Sequence, residues 1–472
     1  MKVALIGAGS VGFTRKLVRD ILAVPEFTDV EFRFMDISDK NLEMATNLCR
    51  KMIEDNGLEA TVYDTMDRRE AIRGADYVIS VVRVGGLEGF GYDIEIPLKY
   101  GVDQCVGDTL APGGLFYALR TIPVLLDIAE DMRAVAPDAL LLNYSNPMAM
   151  NCWAVRRAGG VRIVGLCHGV QGGHHLIARA LGLPAEEVDF VAAGINHQTW
   201  YIQVTYQGKD MLPFLLEAME SDPEIAEREP CRIDILRRFG CFSTESNGHL
   251  SEYLPWYRKR PEEIDRWIYP GRWIGGRTGG YLEVCREHRN EYEEMYPQWL
   301  QETAAPIGPE TRSHEHASHI IEGLETGRTY RGHFNVENHG LITNLPDGCT
   351  VEIPCYVDGN GISPAWTGPL PLACAATCRA SISVQEMTVE AALTGDRELA
   401  RLAVLHDPLT GAVCTPDEVW AMCDEMFEAL APWLPQFNGE GRRWSDIPQP
   451  VGGILRIPHD PGEWQPPSLA GG

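Results

Sequence analysis

Basic side chains are scarce in this 472-residue chain. Forty-one lysines and arginines stand against 67 aspartates and glutamates, a formal net charge of −26. A surface of that sign repels nucleic acid and anionic membrane and favours solubility, so neither is expected as a partner. Long apolar runs are missing too: none reaches the roughly 20 residues that a bilayer span requires. The N-terminus passes from Met1 straight into Lys2-Val3-Ala4-Leu5-Ile6-Gly7, with no signal-type apolar region and no small-residue cleavage site. A cytoplasmic protein is expected. C-x-x-C pairs are absent, and the 13 cysteines, spread from Cys49 to Cys423, do not form the dense framework of a secreted disulfide scaffold. Most read as buried, reduced thiols. No repeat of solenoid or propeller period is present. What remains, 44% apolar and 23% charged, is an ordinary globular composition with length for two or three cores.

The pattern along the chain predicts alternating strands and helices. Lys2 to Ile6 reads as a strand, Gly7 to Gly12 as a turn, and the spacing of Leu17, Ile21 and Leu22 as a helix. Val30 to Met35 is a second strand that leads into Asp36. Leu42 to Ile53 suits a helix, and Tyr77 to Val82 a strand after the polar stretch 68–76. Ile122 to Val135 reads as a helix, and Ala139 to Leu142 and Val161 to Leu166 as strands that lead into Asn143 and Cys167. This order predicts an α/β fold with a Rossmann-like, doubly wound N-terminal domain of the lactate/malate dehydrogenase type, whose ligands meet the ends of its strands. Beyond about residue 200 the pattern turns to mixed helices and irregular Gly/Pro stretches. Thr350 to Val357 and a helical Ala391 to Leu405 there imply a C-terminal α+β substrate domain. The expected division is 1–200 for nucleotide binding, 201–435 for substrate and oligomer contacts, and 436–472 for a Pro/Gly-rich tail.

Gly7, Gly9 and Gly12, with Ser10 between them, match the G-x-G-x-x-G spacing. Small residues there permit a tight turn, close approach of a pyrophosphate to a helix N-terminus, and close helix packing. Asp36 stands 24 residues beyond Gly12. At that place a carboxylate bonds the adenine ribose hydroxyls and repels a 2′-phosphate, so NAD is favoured over NADP. Cys167 and His168 follow one strand end, and His197 closes Gly194-Ile195-Asn196-His197. By themselves these read as readily as a buried thiol and a core histidine. His314, His316 and His319 form an H-x-H-x-x-H cluster, which beside Arg312 and Glu315 reads as a solvated or substrate-facing segment and not as a metal site. Cys374 and Cys378 share a helix face at i, i+4 and read as packing.

The ordered series resembles glycoside hydrolase family 4, the NAD- and Mn-dependent glycosidases. It runs through Ile96-Pro97-Leu98-Lys99-Tyr100-Gly101, the stretch Gly107-Asp108-Thr109 to Gly114, Asn143-Tyr144-Ser145-Asn146-Pro147-Met148, Gly165-Leu166-Cys167-His168-Gly169-Val170 and Gly194 to His197. It ends in Asn338-His339-Gly340 and Asn344-Leu345-Pro346. The resemblance implies that Cys167 and His197 hold Mn²⁺, which grips O2 and O3 of the sugar; a thiolate is a soft ligand for manganese, and spacing alone would have favoured zinc. It implies a hydrolysis by redox. NAD⁺ takes hydride from C3, a base removes the acidified C2 proton, the glycosidic oxygen leaves, water adds, and C3 is reduced again. His168 is the implied acid at the leaving group. Tyr253, in His249-Leu250-Ser251-Glu252-Tyr253, is the implied C2 base, with Glu252 as its rival. Asn146 and Asp108 are the implied contacts to the glycone. A homodimer or homotetramer working in reducing conditions is expected.

Phospho-sugar members of the family carry an arginine where an ungapped match places Phe90, so an unphosphorylated substrate is expected here. Gly169-Val170 resembles the α-glucuronidases, whereas Gln171-Gly172, Asn143 to Met150, Thr244-Glu245-Ser246 and Glu252-Tyr253 resemble the α-galactosidases. The longer stretches favour an α-galactoside, with an α-glucuronide or α-galacturonide as the alternative. A uronide would need a cation or amide donors for its carboxylate, with Arg83 and Arg312 as candidates. Outside the glycosidases, the competing reading is a dehydrogenase of a sugar or hydroxy acid.

Overall fold

The computed structural model describes residues 1–271, 273–439 and 444. The tail expected at 436–472 thus lies almost wholly outside the described residues. Thirteen strands form one sheet: β1 (Lys2–Ile6), β2 (Glu31–Met35), β3 (Thr61–Thr65), β4 (Tyr77–Ser80), β5 (Leu140–Asn143), β6 (Arg162–Leu166), β7 (Val188–Ile195), β8 (Gln198–Tyr206), β9 (Lys209–Asp210), β10 (Phe242–Ser243), β11 (Tyr330–Glu337), β12 (Thr350–Asp358) and β13 (Gly361–Pro364). The order β3-β2-β1-β4-β5-β6 is parallel throughout, which is the doubly wound order.

Period-two alternation explains why these runs become central strands. Val3, Leu5, Tyr77, Ile79, Leu140 and Leu142 face one core, shared with the helices Val11–Leu22 and Asp39–Asp55. Their neighbours Ala4, Ile6, Val78 and Leu141 face the other, under the helix Ala111–Val135. A strand buried on both faces needs apolar residues through its centre, and these have them, with polar residues only at their ends, Lys2, Ser80 and Asn143. Edge strand β3, unread in the sequence, buries only Val62 of its five residues, so its pattern is too polar to stand out.

The second half does not form a separate sheet. β11 adds antiparallel to the edge of β6 through Phe334↔Leu166 and Asn335↔Gly165, then β12, β7, β8 and β10 follow, all antiparallel. Residue 200 therefore lies inside β8, within the β7–β8 hairpin. The helix expected over 391–405 is two, Leu372–Thr394 and Arg397–His406. Gly395 ends the first at φ +73, and Asp396 caps the second by accepting from the N–H groups of Glu398 and Leu399. A Cβ on Gly395 would stand 2.5 Å from the Gln436 carbonyl oxygen, so the break is packed as well as capped. Among the described residues no helix is long and apolar enough to cross a membrane. All 13 cysteines are free, and ten are buried.

Candidate active site

The glycine turn is formed as its spacing requires. Gly7 adopts φ +90, and a Cβ there would stand 2.9 Å from the Val81 carbonyl. At Gly9 a Cβ would come within 2.6 Å of Asp36 Oδ2, because the Gly9 N–H donates to that oxygen at 2.8 Å. Asp36 Oδ1 accepts from Ser38 N at 2.8 Å, so both oxygens are oriented at the end of β2. Ser10 is exposed and makes no side-chain cap, which leaves the N-terminus of Val11–Leu22 open to an anion. Gly12 serves a contact that spacing did not reveal. A Cβ there would meet the Tyr292 hydroxyl at 2.2 Å, because the helix Gly280–Trp299 packs across Val11, Met44 and Leu48. The cradle and the oriented carboxylate fit a dinucleotide.

Some distance along the same sheet, three chain segments converge. Cys167 follows β6, His197 lies in the β7–β8 turn, and Glu245 follows β10. Their donor atoms lie within 4.8 Å of one another. Cys167 Sγ is 3.4 Å from Glu245 Oε1, and His197 Nε2 is 3.8 Å from the same oxygen. Thr109 Oγ1 donates to Asp108 Oδ1 at 2.8 Å and lies 2.7 Å from His197 Nδ1. With its proton given to Asp108, the hydroxyl accepts from Nδ1–H, which leaves the Nε2 lone pair facing Cys167 and Glu245. His197 and Glu245 have positive φ, +63 and +66. Backbone strain of this kind costs on the order of 1–3 kcal/mol per residue and clusters at functional sites.

Charge in the cluster matches a cation. Burial would raise the Glu245 carboxyl, but the His197, His249 and His168 rings outweigh it and hold it at about 2. Burial pushes His249 down to about 4, more than Glu245 raises it. Burial, with Glu245 beside it, pushes the Cys167 thiol well above its ordinary value. A thiolate there calls for a positive ion. Thiol, imidazole and carboxylate together could hold one divalent metal. Asp108, His197 and His249 form a second, overlapping group of donors.

Sequence reasoning missed Glu245, His249 and Thr109 as parts of the site. The structure shows how Glu245 is admitted: a Cβ at Gly169 would lie 1.4 Å from Glu245 Oε1, a contact that spacing does not reveal. Gly169 is thus the residue whose missing side chain admits the Glu245 carboxylate.

The two expected glycone contacts touch each other, Asn146 Nδ2 donating to Asp108 Oδ2 at 2.8 Å. Tyr253 is fully buried with its hydroxyl 3.2 Å from His197 Nδ1. Burial, Asp108 and Glu252 push its phenol well above the usual value. Glu252 faces elsewhere: its carboxylate accepts from the backbone N–H groups of Cys105, Val106 and Gly107 at 2.8, 3.2 and 3.1 Å. The His168 side chain is 71% exposed at the rim, 3.8 Å from Glu315. His316 bonds the Cys167 carbonyl and Tyr330, and His319 stacks on Tyr330. Arg312 is engaged by Glu322 and Ser318.

Comparison with known proteins agrees with this geometry. The family 4 glycosyl hydrolase model matches residues 2–183, and the model of the family's C-terminal domain matches residues 192–410. The chain belongs to family 4 of the glycosyl hydrolases. An α-galactosidase of Rhizobium meliloti (strain 1021) is 56% identical over 438 residues, 92% of this chain and 89% of that one. An α-galactosidase of Bacillus subtilis (strain 168) is 35% identical over 93% of this chain and all of its own length. The 6-phospho-β-glucosidase of Thermotoga maritima, crystallised with manganese, NAD⁺ and glucose-6-phosphate, superposes with a TM-score of 0.75 at 25% identity, over 92% of this chain and 99% of that one. The resemblance noted from the motifs and the Rossmann-like α/β expectation are both borne out.

Proposed function

We propose that this family 4 enzyme is an α-galactosidase, which cleaves an unphosphorylated α-galactoside with NAD⁺ and a divalent metal, Mn²⁺, as cofactors. The observation that carries the reading is the Cys167–His197–Glu245 donor cluster on the same sheet as the nucleotide turn. The identity to two α-galactosidases supports the choice of glycone. When bound, NAD⁺ supplies a reversible hydride acceptor for C3 and the metal supplies Lewis acidity to the neighbouring sugar oxygens.

The chain's own residues then have separate tasks. Gly7, Gly9, Ser10 and Gly12 admit the pyrophosphate, and Asp36 holds the adenine ribose. Cys167 and His197 hold the metal, with Glu245 as a third donor, and Thr109 fixes the His197 tautomer. Asn146 and Asp108 orient the glycone hydroxyls. Tyr253 takes the C2 proton; a divalent cation held by Cys167 and His197 would act against the burial that raises its phenol. Glu252 is the rival in sequence, but its carboxylate is bonded to three backbone N–H groups and holds the loop 105–107 instead. His168, at the solvent rim, protonates the departing oxygen. The same reading carries a homodimer or homotetramer in the reducing cytosol.

A panel of 4-nitrophenyl α-galactoside, α-glucoside, α-glucuronide and α-galacturonide, assayed with NAD⁺, Mn²⁺ and thiol and then with each omitted in turn, tests it. The expected result is release from the galactoside that needs all three additives, without NADH accumulation. Continuous NADH formation without release of nitrophenol would instead identify a dehydrogenase.

A further inference from the structure

Among the described residues the buried arginines Arg120, Arg232 and Arg258 each have hydrogen-bond or ion-pair partners, whereas the half-buried Arg83 has none. Arg120 donates Nη1 to Asp93 at 2.9 Å, Arg232 donates to Glu229 and to the Ser243 carbonyl at 3.0 and 2.9 Å, and Arg258 is paired with Asp103. Arg83, three residues beyond β4, has no hydrogen bond or ion pair among the described residues, and its Nη1 is fully buried without an acceptor. Its guanidinium lies instead over aromatic rings, 4.4 Å from the centroid of Phe90, 5.1 Å from Tyr117 and 5.8 Å from Tyr281. Burial works against its charge, yet Tyr117, Tyr281, Cys285 and Asp108 together hold its pKa above the ordinary value. Asp108 acts on it through space, while its oxygens are bonded to Thr109 and Asn146.

An unsatisfied guanidinium N–H in a protein interior is costly, and such groups persist where a ligand completes them. Position narrows the ligand. Val81 abuts Gly7 of the nucleotide turn, and two residues later Arg83 lies among Phe90, Tyr117 and Tyr281, within electrostatic reach of Asp108. A guanidinium fork without a protein acceptor, beside the half-buried Tyr281 ring, suits a sugar, which offers both apolar C–H faces and oxygen acceptors. We infer that Arg83 is a substrate-binding residue whose guanidinium, seated over the buried rings of Phe90 and Tyr117 and beside the half-buried Tyr281, donates to an oxygen of the glycone. This inference rests on the α-galactosidase reading.

The test is calorimetric binding of galactose to the NAD- and Mn-loaded enzyme, for wild type, Arg83→Met and Arg83→Lys. NAD affinity and thermal melting are measured beside it. A lost hydrogen bond from a charged donor predicts a galactose Kd about tenfold or more weaker in Arg83→Met. NAD affinity should stay within about twofold, with KM for the nitrophenyl galactoside rising by more than kcat falls. Arg83→Lys, which keeps the charge but not the fork, should fall between; it carries the test alone if Arg83→Met does not fold. An unchanged galactose Kd, or an equal loss of NAD affinity, overturns the inference. Wild-type turnover of the galactoside is read separately, so a failure of the substrate reading is distinguishable from a failure of this one.

Discussion

The nucleotide turn and the Cys167 cluster sit on one sheet but are assembled by opposite means. Gly7, Gly9, Ser10, Gly12 and Asp36 come from one β-α-β unit, and their defining contact, Gly9 N–H to Asp36, closes within it. Asp108, Cys167, His197, Glu245, His249 and Tyr253 come from four stretches of chain that the sheet brings together only after β11 has joined β6 and the β7–β8 hairpin has joined β12. The first site depends on local geometry. The second depends on the register of an antiparallel extension whose link from β12 to β7 is the single pairing Glu352↔Gly194. The two should therefore fail independently.

The largest expected effect breaks one site and spares the other. Cys167→Ser should reduce galactoside cleavage to background even in excess Mn²⁺ while NAD binding, followed by fluorescence titration, is unchanged; a parallel loss of NAD affinity would show that the sites are coupled. Tyr253→Phe should lower kcat by about 10²–10⁴-fold, the range for removal of a general base. Glu252→Gln, measured beside it, should act mainly on thermal stability, and a greater kcat loss there in a protein that melts normally would reverse the two assignments. Glu245→Gln should weaken metal binding by roughly 10- to 100-fold, the effect of removing a supporting group. Gly169→Ala should have a similar consequence, since its methyl would displace the carboxylate.

The smallest effect tests the sheet extension itself. Burial, together with the nearby Glu245, raises the Glu352 carboxyl to about 8 from an ordinary 4.5. A carboxyl with a raised folded-state pKa stabilises the fold while protonated, fully below about pH 4.5, and that stability is lost as pH rises toward 8. Glu352→Gln should therefore flatten the decline in melting temperature between pH 5 and pH 8. A wild type with no such decline would contradict it.

What was legible in advance follows the same division. The strands β1, β4, β5 and β6 stand out because a doubly buried strand is apolar through its centre, β2 by the alternation of Phe32 and Phe34 with Glu31 and Arg33, and the turn because only glycine tolerates Gly7's φ and Gly9's contact with Asp36. β3 was hidden because an edge strand needs only one buried face. Cys167 and His197 were found by resemblance of motifs and not by spacing. Glu245 was passed over because nothing within its own segment marks it; its role comes from a positive φ and from the missing Cβ at Gly169, 76 residues earlier in the chain. At Gly12 close packing was expected but its partner was hidden for a related reason, since Tyr292 reaches it from a helix nearly three hundred residues away.

The sequence by itself determined the parallel half-sheet and the glycine turn, because each rests on interactions between near neighbours, while Cys167 and His197 were reached only through the resemblance of motifs. The tertiary structure alone decided that Glu245 joins Cys167 and His197, that Tyr253 and not Glu252 faces them, and that Arg83 has no hydrogen-bond or ion-pair partner among the described residues. Those outcomes depend on distances between segments that periodicity cannot measure, and on which buried polar groups the folded chain satisfies with its own atoms.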